Sequence, residues 1–81
     1  MKVAFEVEQA GCESCGELIG AALGRVGTVE SIEIDEDADT AMVVLSGSVE
    51  RAEVDAALDG TSIGAGHTYR VRPDSWRSLD D

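Results

Sequence analysis

The sequence predicts an α+β sandwich, with two helices on one face of a four-stranded antiparallel sheet. Three observations predict it. Hydropathy switches between a period of two and a period near 3.6 in the order strand, helix, strand, strand, helix, strand. The whole pattern fits within 81 residues. Glycines and an acidic run punctuate the joints. That length holds one domain with one core, taken as residues 1–73, followed by a short polar tail, residues 74–81.

The first strand runs from Lys2 to Glu8, with Val3, Phe5 and Val7 on one side and Lys2, Glu6 and Glu8 on the other. After a loop, Ser14-Cys15-Gly16-Glu17 fits a capping box, with Ser14 as N-cap and Cys15 in the first helical turn. Leu18, Ile19, Ala22, Leu23 and Val26 form one helical stripe, and Gly27 is a natural stop. Gly20 and Gly24 each weaken that helix by ~1 kcal/mol relative to alanine, so packing must hold it. Val29 to Asp35 alternates as a second strand with Ile32 and Ile34 inward. Glu36-Asp37-Ala38-Asp39 is an exposed turn. Thr40 to Ser46 is apolar on both faces in its middle, as a central strand is. Ser48 can cap a second helix that offers Val49, Ala52, Ala56 and Ala57 for burial and ends near Gly60. A glycine loop then leads to a last strand, His67 to Arg72, with Tyr69 and Val71 alternating with Arg70 and Arg72. Pro73 closes it, and Trp76 either folds back on the body or hangs free.

The formal charge is −11, from 17 acidic and 6 basic residues. That balance repels phosphate backbones and anionic lipid, so nucleic acid is excluded as a partner. The acids are spread along the chain, as on a surface suited to high-salt cytosol; steering toward a basic partner or a cation is the other reading. No run of about 18 apolar residues is present to cross a bilayer, and the first strand lacks the basic flank of a signal peptide. Two cysteines three positions apart are not the framework of a disulfide-rich secreted domain, so a soluble cytoplasmic monomer is expected.

Those cysteines, Cys12 and Cys15 of Gly11-Cys12-Glu13-Ser14-Cys15, carry the chemistry. Soft metals prefer thiolates, and two of them at this spacing, one in a loop and one on a first helical turn, converge on a single ion. The helix N-terminus lowers a thiol's pKa and favours the thiolate. The pair by itself leaves three readings open: metal binding, redox exchange, and a structural pair. Right-handed crossovers bring the cysteine loop, the acidic turn and the glycine loop to one end of the sheet.

In this setting, the cysteine pair between a first strand and a first helix resembles the heavy-metal-associated domain family. The resemblance extends from about Lys2 to Arg72. It includes Val29-Glu30-Ser31-Ile32-Glu33-Ile34-Asp35, which is similar to the family's second strand with its closing aspartate, the apolar third strand, and the helix ending Ala56-Ala57-Leu58. It implies a ferredoxin-like βαββαβ fold and a soft metal ion, Cu(I) first and Zn(II), Cd(II) or Hg(II) otherwise, held by Cys12 and Cys15. It also implies a metal-transporting ATPase or a metal-responsive regulator as acceptor. The chain departs from the family at two places. Ala10 stands where the family usually has methionine, and Thr61 is the nearest match to a lysine that copper chaperones often carry.

Among the remaining residues, His67 is either a third ligand or a polar residue at the start of an exposed strand; no spacing rule ties it to the cysteines, and the second reading is taken. Asp35, Glu36, Asp37 and Asp39 lack the spacing and glycine of an EF-hand loop and are taken as a solvated turn. Glu13 either tunes the pair or is simply exposed. The glycines at 60, 64 and 66 do not open a helix after a strand, so they do not cradle phosphate. The expected function is a non-enzymatic carrier of a soft metal. Its rivals are a thiol–disulfide oxidoreductase using the same pair and an interaction domain with a degenerate metal site. Thioredoxin-like redox sites set a cis-proline before a strand near the disulfide, whereas Pro73 here follows the last strand.

Overall fold

A computed structural model describes residues 1–12, 14–66 and 68–79 of the chain. The elements are β1 (Lys2–Glu8), α1 (Cys15–Leu23), β2 (Thr28–Asp35), β3 (Thr40–Ser46), α2 (Arg51–Ala65), β4 (Arg70–Val71) and β5 (Arg77–Ser78). The sheet order is β2-β3-β1-β4, with β5 also on β1, and every pairing is antiparallel. This is the expected ferredoxin-like βαββαβ sandwich. Val3, Phe5 and Val7 of β1 and Val43 and Leu45 of β3 point to the helices, where Ile19, Leu23, Val54, Leu58 and Tyr69 close over them. All ten are fully buried. Burial of an apolar side chain of this size stabilises by roughly 1.5–3 kcal/mol, which explains how α1 tolerates its glycines.

Several local expectations are corrected. Ser14 precedes α1 as expected, but its backbone is already helical and its side chain makes no cap bond. The α-helix ends at Leu23, and tighter turns, Arg25 N–H to Ala22 O and Val26 N–H to Leu23 O, carry the chain on to Gly27. The N-cap of α2 is Glu50 rather than Ser48, and α2 does not stop near Gly60. It continues to Ala65 and ends on Gly66, whose φ of 73° is the left-handed cap that glycine adopts without strain. The stretch read as a glycine loop is therefore mostly helix. Its buried face is Val54 and Leu58, one turn apart, while Ala52 and Ala56 are exposed. Ser62 adds a tie, its hydroxyl donating to Leu58 O at 2.7 Å and accepting from Tyr69 N–H at 2.9 Å.

Residues 74–79, read as a polar tail, fold back onto the sheet. β4 pairs with Val7 and Glu8 and β5 with Val3 and Ala4, so the two short strands are halves of one edge interrupted at Pro73 and Asp74. At the interruption Glu6 N–H donates to Ser75 Oγ at 3.1 Å. That hydroxyl in turn donates to Arg72 O at 2.7 Å. Trp76 stacks on Phe5, centroids 5.1 Å apart and planes 13° from parallel, with the Arg51 guanidinium 5.9 Å from its ring. Trp76→Ala is expected to cost about 2–3 kcal/mol in urea denaturation followed by circular dichroism, from lost packing, stacking and cation–π attraction. A loss below about 0.5 kcal/mol would show that the tail does not stabilise the domain. By contrast, the half-exposed Arg72–Glu6 ion pair at 3.3 Å contributes little.

Candidate metal centre

The cysteine loop and the acidic turn meet at one end of the sheet as expected; in place of the glycine loop, which is largely α2, the short segment leading into β4 joins them, and hydrogen bonds tie all three. Ala10 N–H donates to Asp39 O at 3.1 Å, and Gly11 N–H to Asp39 Oδ1 at 2.9 Å. Gln9, with φ of 58°, turns the chain out of β1, and its Oε1 accepts from Thr68 N–H at 3.1 Å. The acidic turn thus acts through Asp39, which holds the cysteine loop, and through Asp35, whose Oδ1 accepts from Ala38 N–H at 3.1 Å. Among the described residues no three His, Cys, Asp or Glu side chains gather to hold a metal ion. The questions raised by Glu13 and His67 lie outside the described residues.

Cys12 and Cys15 lie side by side, joined as a disulfide, with Cα atoms 5.1 Å apart. Their environments differ. Cys12 is half-buried at the loop surface, with Ser14 Oγ 3.8 Å from its sulfur. Cys15, the first residue of α1, is fully buried in the core. Its sulfur accepts a hydrogen bond from the Tyr69 hydroxyl at 3.2 Å, 54 residues away in sequence. Sequence reasoning missed this contact; the inward alternation of Tyr69 was its one available signal. Ala10, at the family's methionine position, is fully buried beneath the loop. Thr61 does not sit in a loop beside the cysteines. It lies on α2, facing Leu18 and Ala22 of α1 across a shallow groove.

In donor chemistry the pair fits a soft ion once reduced. Zinc–sulfur bonds are about 2.3 Å, so two sulfurs on one tetrahedral ion stand about 3.8 Å apart, within reach of cysteines at this Cα spacing. Burial pushes the Tyr69 phenol above its ordinary value of 10.0, so it keeps its proton and donates throughout the neutral range. As pH rises past 10.0, the unfolded chain loses a proton that the folded chain still holds, and stability falls from there upward. Tyr69 is the chain's one tyrosine. An alkaline titration of tyrosinate absorbance is therefore expected to have its midpoint above 10.0, and a midpoint at or below that value would contradict a buried phenol.

Together, the sandwich and its cysteine loop define a small metal-handling domain. Residues 4–63, well over half of the chain, match the model of the heavy-metal-associated domain, and the chain belongs to that family. No curated protein matches the sequence. Solved structures share the fold, among them the following three. One, from work on crosstalk between Cu(I) and Zn(II) homeostasis, is 22% identical with a TM-score of 0.58, covering 85% of this chain and 97% of its own. Oxidized MerP from Ralstonia metallidurans CH34 is 15% identical with a TM-score of 0.58, covering 89% and 99%. The apo HMA domain of the copper chaperone for superoxide dismutase is 23% identical with a TM-score of 0.60, covering 100% and 78%. Among the described residues no helix is long and apolar enough to cross a membrane.

Proposed function

We propose that this chain is a cytoplasmic, monomeric carrier of a soft metal ion, bound by Cys12 and Cys15 as thiolates and passed to an acceptor by ligand exchange. One observation carries the reading. Inside the segment that matches the family, the two sulfurs are adjacent at a loop-to-helix junction, one facing solvent and one in the core. Two thiolates leave the ion open to a third from an acceptor, so transfer proceeds without release into water. The cargo is Cu(I) first, with Zn(II), Cd(II) and Hg(II) as alternatives, because a sulfur-only donor set selects soft ions as a class. The acceptor is a metal-transporting ATPase or a metal-responsive regulator with matching cysteines.

The test is an anaerobic titration of the reduced protein with Cu(I), Zn(II) and Hg(II), comparing wild type with the double variant Cys12→Ser, Cys15→Ser. Tight binding by wild type alone is expected; equally weak binding by both sinks the reading. The Cys12–Cys15 bridge itself favours a second reading, a thiol–disulfide oxidoreductase. Turnover in an insulin-reduction assay would support that one.

A further inference from the structure

The two sulfurs of the bridge differ in two independent ways. Cys12 is half-buried at the surface and Cys15 is wholly enclosed. The structure brings a phenol hydroxyl to Cys15 Sγ, that of Tyr69 at 3.2 Å. Tyr69 is held to this task from both ends. Its backbone N–H is fixed to Ser62 Oγ at 2.9 Å, and its ring is part of the core. A donor aimed at one sulfur of a disulfide is only a weak partner while the bridge is intact, because divalent sulfur accepts poorly. It becomes a strong partner once that sulfur carries negative charge.

We propose that Tyr69 is a positioning residue that makes Cys15 the leaving sulfur when a low-molecular-weight thiol opens the bridge, so that reduction enters through Cys12. The thiolate of the small thiol bonds to Cys12 Sγ, and the bond between the two cysteine sulfurs breaks. Its electron pair goes to Cys15 Sγ, which leaves as a thiolate held by the Tyr69 hydroxyl. A second small thiol attacks the small-molecule sulfur of the mixed disulfide, releasing the Cys12 thiolate and a small-molecule disulfide. Two thiols supply two electrons, and their two protons are free to reside on the cysteines. The proposal deepens the metal-carrier reading, since the bridge must open before both sulfurs can bind an ion. It concerns that opening and not the ion.

The test starts from oxidised wild type mixed with reduced glutathione, quenched in acid at short times and mapped by mass spectrometry. The adduct is expected on Cys12, and an adduct on Cys15 overturns the proposal. Tyr69→Phe keeps the ring in the core and removes the donor. It is expected to slow reduction by about threefold or more and to shift the equilibrium with glutathione toward the disulfide by about tenfold. A folded Tyr69→Phe protein with unchanged rate and equilibrium also overturns it. If that variant does not fold, wild type alone decides the matter. The single tyrosine should show a stronger hydrogen-bond donor in its ultraviolet resonance Raman doublet after reduction, and an unchanged doublet rejects the proposal. No metal enters any of these measurements. A chain that fails to bind metal still yields a mapped adduct, and failure here leaves the metal titration standing.

Discussion

Serine at either cysteine is expected to abolish tight binding of a soft ion, and only Cys15→Ser is expected also to weaken the reduced fold. Loss of one thiolate leaves a single sulfur ligand, so the affinity loss should exceed the roughly 10–100-fold that changes outside the ligand set produce. The stability effects separate the two positions. Cys15 is fully buried, and serine there sets a hydroxyl among apolar side chains at a cost of about 1–3 kcal/mol. Tyr69 stands within reach to pair with it, which favours the lower end of that range. Cys12 is half-buried beside Ser14, and serine there should stay within about 0.5 kcal/mol. Urea denaturation under reducing conditions, with reduced wild type as reference, reads the difference. Equal losses at the two positions would refute the asymmetry. In the oxidised protein both variants also lose the bridge. Closing so short a loop stabilises by only about 2 kcal/mol, so the pair is poorly placed to be a structural staple.

Gly11→Ala should produce the second large effect. A Cβ there would stand 2.6 Å from Asp39 Cα, 2.8 Å from Asp39 Oδ1 and 3.2 Å from Asp35 O. Two of these atoms are backbone, and the side-chain oxygen is fixed by its bond to Gly11 N–H. The loop must therefore move, breaking that bond and shifting Cys12. A loss of about 2–3 kcal/mol is expected in urea denaturation, together with at least about tenfold in metal affinity. Gly64→Ala is the control. A Cβ at that helical position meets nothing within 4 Å, and stability should rise by about 0.5–1 kcal/mol. If both alanines are neutral, the loop is not clamped by Asp39.

What was legible in the sequence follows from range of interaction. β1 and β3 were readable because alternating burial is a local pattern, and β3 matches its expected bounds, Thr40 to Ser46. That the cysteine loop and the acidic turn share one end followed from the crossovers and strand directions. The extent of α2 was not readable, since Gly60 and Gly64 look like breakers while what sustains the helix is distant. Leu58 is buried against the sheet, and Ser62 links α2 to Tyr69. The capping box at Ser14 had the right letters, but the backbone there is already helical, so no cap bond forms. The site divides in the same way. The cysteines were conspicuous by their spacing, whereas Asp39 reaches Gly11 of their loop across 28 residues and Tyr69 reaches Cys15 across 54, separations that no local pattern encodes.

The broken edge formed by β4 and β5 bears on how the chain can be cut. The family match ends at residue 63, yet the strands that cover one flank of β1 lie at residues 70–71 and 77–78. A fragment trimmed to the match would lose Tyr69, Val71 and Trp76 and bare the Lys2 carbonyl and the Glu6 amide and carbonyl, which Leu79 N–H, Ser75 Oγ and Arg72 N–H engage along that flank. An uncovered flank of this kind is a template onto which another chain can add a strand. Such a fragment would face self-association, because the strands that cover the flank are gone.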